Sequence, residues 1–212
     1  MPMRTDASVS ATDDLAMLGL LQLVSPALPI GAFAWSQGLE SAMDLGWVTD
    51  RDELGDWLDG VLEDGLGRAD LPVLMRLHRA WASGDAAAIE TWNDWLLAGR
   101  ETAELHEEDV RLGAALRRLM GDLDRLPAGD LLPDEPGYVT MFAMVAQQRG
   151  VDAHTAMLGL AWAWLENQLA VACKAMPLGH TAAQSLVESL RPSLVAVVRR
   201  CAHHDDAELG PV

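Results

Sequence analysis

Apolar residues recur at three- and four-residue steps along almost the whole chain, and strict apolar/polar alternation is absent. The first spacing belongs to helices with one buried face and the second to half-buried strands, so the pattern predicts an all-α protein. Asp13 and Asp14 open a leucine-rich segment running to about Val24. Pro26, Pro29 and Gly31 then rule out a continuous helix, and a short helix over 36–45 stops at Gly46. Asp50 stands before a stripe of Leu54, Trp57, Leu58, Val61, Leu62 and Leu66, with Glu53 spaced to complete a capping box.

Asp70 opens a helix carrying Val73, Leu74, Leu77 and Trp81, which Gly84 closes, and Asp85 caps a further one with Ile89, Trp92 and Leu96. From Arg100 to Leu126 lies the longest continuous helical pattern, with Leu105, Leu112, Leu116, Leu119, Leu123 and Leu126 facing a core. Residues 127–137 hold Pro127, Pro133, Pro136, Gly129 and Gly137 and are expected to form an internal linker. Helices over 138–148, 152–174 and 181–200 follow, the last kinked by Pro192. The sum is a single-domain bundle of roughly nine to ten helices over 13–202. A flexible N-terminal segment, 1–12, and a loose tail, 203–212, flank it.

Charge narrows the function. Thirty-two acidic against 15 basic residues give a net charge of −17, which phosphate backbones and anionic membrane surfaces repel. A basic protein partner is the natural complement. Eight Trp against two Phe and one Tyr mean that large planar rings fill much of the interior or of an interface. Cys173 and Cys201 form no CxxC pair, and the polar start of the chain lacks the apolar core of a signal peptide, so the expected compartment is the cytosol. The longest apolar stretch, 156–175, is broken by Glu166, Asn167 and Gln168 and reads as a buried helix rather than a membrane span.

Signatures of catalysis are missing. No Gly-rich phosphate loop, GxSxG, HExxH or ExxH occurs. The acidic run Glu101, Glu104, Glu107, Glu108 and Asp109 is expected to be a solvated helix face, with i,i+4 pairs Arg100–Glu104 and Glu107–Arg111. His203 and His204, beside Asp205 and Asp206, are the one local cluster suited to a divalent metal.

Two segments ask for more than packing. In 28–40 a rigid turn presents Phe33 and Trp35, followed by Gln37 and Glu40; aromatic rings on rigid turns make interaction hot spots, although they serve equally well as core plugs. In 166–179, Glu166, Asn167 and Gln168 interrupt an apolar helix and must find partners across helices or across a subunit boundary, and Lys174 precedes Pro177 and Gly179. Gly31, Gly38 and Gly179 are candidates for backbone geometry alone.

These segments, with Arg100-Glu-Thr-Ala-Glu-Leu105 between them, resemble the UreF family of urease accessory proteins. The matches are Leu28, Pro29, Gly31, Phe33 and 36–40; Arg100, Glu101, Thr102, Glu104 and Leu105; and 164–168, Lys174 and 177–179. Ala32, Trp35 and His180 depart from it, where Gly, Tyr and Gln are common. The resemblance implies an all-α homodimer with no catalysis and no cofactor of its own. It implies a scaffold that joins UreD (UreH) and the GTPase UreG on apo-urease and supports nickel insertion; the alternative beside it is a nickel-binding carrier that uses His203 and His204. Phe33, Trp35, Gln37, Glu40, Arg100, Glu101, Glu104, Glu166, Gln168, Lys174, Pro177 and Gly179 are the residues expected at partner or dimer contacts.

Overall fold

The structure, a computed structural model, describes residues 11–210, so most of the expected flexible N-terminal segment lies outside the described residues. Within them all the regular structure is helical, without strands. The elements are α1 (Ala11–Leu23), α2 (Leu39–Asp44), α3 (Arg51–Gly60), α4 (Asp70–Ser83), α5 (Ala86–Ala98), α6 (Ala103–Asp122), α7 (Tyr138–Gln148), α8 (Ala153–Ala175) and α9 (His180–Cys201). Single 3₁₀ turns occupy Ala32–Ala34 and Asp206–Glu208, and a widened π-helical stretch, Val61–Leu66, extends α3.

Side-chain caps fix where helices begin. Asp85, Thr102 and Asp152 each accept a hydrogen bond from a first-turn backbone N–H, and Asp50 accepts two. Glu53 turns back as expected but reaches one residue too far: its carboxylate accepts from the Thr49 N–H (2.8 Å) and hydroxyl (2.6 Å). Because Thr102 caps α6, that helix starts at Ala103 rather than Arg100, and it ends before Asp124, which has φ 54°. Leu123 and Leu126 therefore leave the expected core face and are 49% and 39% exposed. The longest described helix is α8, with 23 residues against 20 in α6.

The core closes around α7. Every residue from Val139 to Ala146 is buried, and α4, α6, α8, α5 and α1 all pack on it. An α-helix apolar on all sides belongs at the centre of a bundle. The segment 127–137 carries no regular structure, yet its end is fixed. Asn93, buried in α5, accepts from the Gly137 N–H (2.9 Å) and the Thr140 hydroxyl (2.8 Å) and donates to the Glu135 carbonyl (3.1 Å). At Gly113 of α6 an added Cβ would stand 2.0 Å from the Pro136 carbonyl oxygen, so segment and helix touch backbone to backbone.

Helix α9 stays helical from His180 to Cys201 with Pro192 inside it, on its exposed side. One further expectation needs correction. Residues 203–210 of the expected loose tail are held: Arg76 donates to the His204 carbonyl (2.8 Å) and to Asp206 (2.6 Å), and the Gly210 N–H donates to the Arg68 carbonyl (3.0 Å). Among the described residues no helix is long and apolar enough to cross a membrane.

Candidate functional site

A cleft of about 780 Å³ opens where α3 and its π-helical extension, the start of α4, α6 and α8 meet. Leu66, Leu105, Leu112 and Leu160 give it apolar walls, and Gln37, Arg100, Glu108, Tyr138, Trp164 and Asn167 give it a polar lining.

Arg100 sits at the centre, in the turn between α5 and α6. Its guanidinium forks between two carboxylates: to Asp70 Oδ1 at 2.7 Å and to Asp109 Oδ2 at 2.7 Å, with Nε also donating to Asp109 at 2.8 Å. Burial opposes the charge, but Asp70 and Asp109 outweigh it, and the pKa is held above its ordinary value. The other oxygen of Asp109 accepts the Tyr138 backbone N–H at 2.6 Å, so the carboxylate ties α6 to the N-terminus of α7. Burial foremost, then the nearby Asp109 and Glu108, also raises the Tyr138 pKa.

Glu108 begins a second chain of contacts. Its Oε1 accepts from the Gln37 amide nitrogen at 2.8 Å, and the Gln37 amide oxygen accepts the Trp164 indole N–H at 2.8 Å. Asn167, almost one turn further along α8, donates to the Trp35 carbonyl at 3.0 Å. Gln37 adopts φ 50°, and Gly31 (φ 82°) and Gly38 (φ 86°) bracket the turn that presents it. Two left-handed glycines and a left-handed Gln bend the backbone back on itself, and the α8 side chains hold it there. Burial pushes the Glu108 carboxyl up to about 7; Asp109 and Asp70 add to the rise, while the Gln37 hydrogen bond and Arg100 oppose it.

The expected solvated face of α6 is therefore half wrong. Glu107–Arg111 forms an exposed pair, but Glu108 and Asp109 are only 6% and 4% exposed, and Arg100 pairs with Asp70 and Asp109 instead of Glu104. The leucine spacing contained the signal, since positions 108 and 109 fall between Leu105 and Leu112 on the buried stripe. Asp70, Trp164, Asn167 and Tyr138 were likewise not among the expected contact residues, although Trp164 and Asn167 lie within the motif segments.

Of the expected contact residues, Gln37, Arg100 and Glu101 come together at the cleft. Phe33 is 63% exposed, with Lys174 Nζ 5.9 Å from its ring centroid, so the aromatic turn and the end of α8 meet. Trp35 is half-buried under the Arg111 guanidinium, 5.9 Å from its centroid. Glu40 and Glu104 are exposed in the first turns of α2 and α6, apart from the cleft lining. Glu166 is half-buried, its pKa raised by burial against a hydrogen bond from Trp162. Gln168 is buried, and its amide nitrogen has no hydrogen-bond partner among the described residues. Pro177 is exposed, and Gly179 caps α9 at φ −70°, a conformation that does not require glycine. Asp206 is taken up by Arg76, and among the described residues no group of three or more His, Cys, Asp or Glu is placed to hold a metal ion.

Comparison with known proteins reaches the same family as the motifs. The family model UreF matches residues 48–191. The urease accessory protein UreF of Chromohalobacter salexigens is 64% identical over 203 residues, covering 96% of this chain and 88% of the relative. That of Marinobacter nauticus is 60% identical over 210 residues (99% and 91%), and that of Psychrobacter cryohalolentis 61% over 214 residues (99% and 91%). With matches of this extent running through all three motif segments, the chain belongs to the UreF family.

Proposed function

We propose that this protein is a urease accessory protein working as a non-catalytic adapter in the cytosol. As a homodimer it joins the UreD (UreH) scaffold and the GTPase UreG on apo-urease, where they support insertion of nickel, the cargo of the assembly. The observation that carries the reading is the convergence of three motif segments, 28–40, 100–105 and 164–179, on one cleft and the aromatic turn beside it. Their polar groups are spent on holding one another: Arg100 on two carboxylates, Gln37 on Glu108 and Trp164. The turn they hold presents Phe33 beside Lys174 at the surface, an aromatic anchor next to a cation. The excess of negative charge favours encounter with basic partner surfaces.

Co-purification with UreD and UreG tests this. The intact chain should elute as a dimer and retain both partners, and Phe33→Ala with Lys174→Ala should weaken retention while leaving the helical circular dichroism unchanged. A monomer that retains neither partner would sink the adapter reading. Tight stoichiometric Ni²⁺ binding, lost on replacing His203 and His204, would instead favour the carrier.

A further inference from the structure

The cleft has a charge imbalance that its internal hydrogen bonds leave unresolved. Its lining contains Asp56, Asp64, Asp70, Glu101, Glu108 and Asp109, but among the described residues Arg100 is its one cation, already forked between Asp70 and Asp109. Glu108 stands apart from that pair. It is more than nine-tenths buried and lines the cleft, and its hydrogen bond goes through Oε1 to the uncharged Gln37; among the described residues Oε2 has no hydrogen-bond partner. Asp109 beside it on α6, Asp70 at the start of α4 and Tyr138 at the start of α7 act on it, and Arg100 lies nearby with its donors committed elsewhere. A carboxyl this deeply set, lining a cleft with one oxygen not hydrogen-bonded among the described residues, suits a cation, and burial is the main cause of its raised pKa of about 7.

We infer that this cleft is a socket for a single Lys or Arg side chain of a partner protein, whose cationic head meets Glu108 while its methylene stem lies against the apolar walls. Trp57, Leu66, Leu105 and Trp164 supply those walls, and long cationic side chains bury their stems along such surfaces. Asp56 and Glu101, both exposed, place negative charge at the mouth, where it steers a cation inward. The inference rests on the adapter reading in that a partner protein must present the side chain, but it names the chemistry recognised.

The Glu108 carboxyl reports occupancy directly, because an adjacent cation stabilises the carboxylate and expels its proton. With Glu side-chain carboxyls labelled with ¹³C, the full chain would be titrated by NMR with the peptides Ac-Ala-Ala-Lys-Ala-Ala-NH₂ and Ac-Ala-Ala-Arg-Ala-Ala-NH₂. A Gln peptide, pentane-1,5-diamine and Mg²⁺ serve as comparisons. A Lys or Arg peptide should lower the Glu108 midpoint by about one unit, the Gln peptide should leave it in place, and Glu108→Gln should weaken peptide binding several-fold. Asp56→Asn, at the exposed mouth, should weaken it less, and it stands in if the Glu108 variant misfolds. A midpoint unmoved by either basic peptide, moved equally by the Gln peptide, or moved by the diamine or Mg²⁺ alone overturns the socket. No accessory partner is needed for this titration. A chain that retains no partner yet shows the shift loses the adapter reading and keeps the socket, and a chain that retains partners without the shift does the reverse.

Discussion

Trp164 donates its indole N–H to the Gln37 side-chain oxygen at 2.8 Å, joining positions 127 residues apart. The bond docks a short, glycine-bent turn onto a long helix, and the second amide position of Gln37 continues the link to Glu108 on α6. Three elements distant in sequence are thus locked by one glutamine. Replacing Trp164 with Phe keeps an aromatic side chain, though a smaller one, and removes the donor, leaving the Gln37 oxygen unpaired in a part-buried place. The expected loss is about 1–3 kcal/mol, read as a lowered urea midpoint with an unchanged slope. A double-mutant cycle with Gln37→Leu should recover part of that loss, because the orphaned acceptor is then gone.

Arg100 offers a sharper test. Removing it leaves Asp109, 4% exposed, and Asp70 facing each other without a counter-charge. Breaking a buried ion pair by deleting one partner costs about 3–5 kcal/mol. Arg100→Ala should therefore be strongly destabilised by chemical denaturation, and adding Asp109→Asn should restore a measurable share. Arg100→Lys should fall between, since an ammonium cannot fork between two carboxylates as a guanidinium does.

Glu108 sets a pH dependence whose direction follows from burial. Burial lifts its folded pKa to about 7 from an ordinary 4.5, so the folded chain holds this proton more tightly than the unfolded chain does. Between those values the unfolded state releases the proton and the folded state retains it, and stability falls as pH rises. The contribution is complete below about pH 4.5 and gone above about pH 7, and its full span is on the order of 3 kcal/mol. Glu108→Gln keeps an acceptor for Gln37 and cannot titrate. The difference in stability between the variant and the parent should therefore change across this window and level off outside it. A difference independent of pH would show that the carboxyl titrates normally.

How much of this was readable beforehand depends on the type of interaction. Helix starts at Asp50, Asp85 and Asp152 were legible because a cap is a local event, settled within a few residues. The all-α class followed from apolar spacing for the same reason. Arg100 is legible as a motif residue, but its partners are not: Glu104 is the local choice, whereas Asp70 lies 30 positions back. Sequence places Glu108 and Asp109 in solvent because charged residues usually belong there, and only the tertiary approach of α7 and the 31–38 turn makes their burial tolerable. The docking of residues 203–210 was illegible for the same reason, since Arg76 reaches Asp206 across 130 positions.

Gln168 makes the opposite prediction from its neighbours. It is 1% exposed on α8, and its amide nitrogen has no hydrogen-bond partner among the described residues. A buried donor left unsatisfied costs about 1–3 kcal/mol, so Gln168→Met, of similar shape, should raise the urea midpoint of the isolated chain. If Gln168 is among the residues that meet a second subunit, as the motif resemblance implies, the same variant should lower dimer affinity in analytical ultracentrifugation. Gain in the first measurement with loss in the second would mark a polar group retained for association.

Gly113 tests whether the end of the 127–137 segment is a structural strut. At this position α6 and the segment touch through backbone, and a Cβ would stand 2.0 Å from the Pro136 oxygen and 2.7 Å from the Gly137 carbonyl carbon. Neither atom is the far end of a flexible side chain, so one of the two backbones must move. Overpacking of this kind costs about 1–3 kcal/mol or more. The displacement would not stay local, because Gly137 is bonded to Asn93 and Tyr138 to Asp109, which in turn holds Arg100. Gly113→Ala should therefore lower the thermal midpoint and also disturb the cleft, moving the Glu108 titration midpoint even though position 113 does not line it. If the thermal midpoint fell while the Glu108 titration stayed fixed, the strut and the cleft would be mechanically separate.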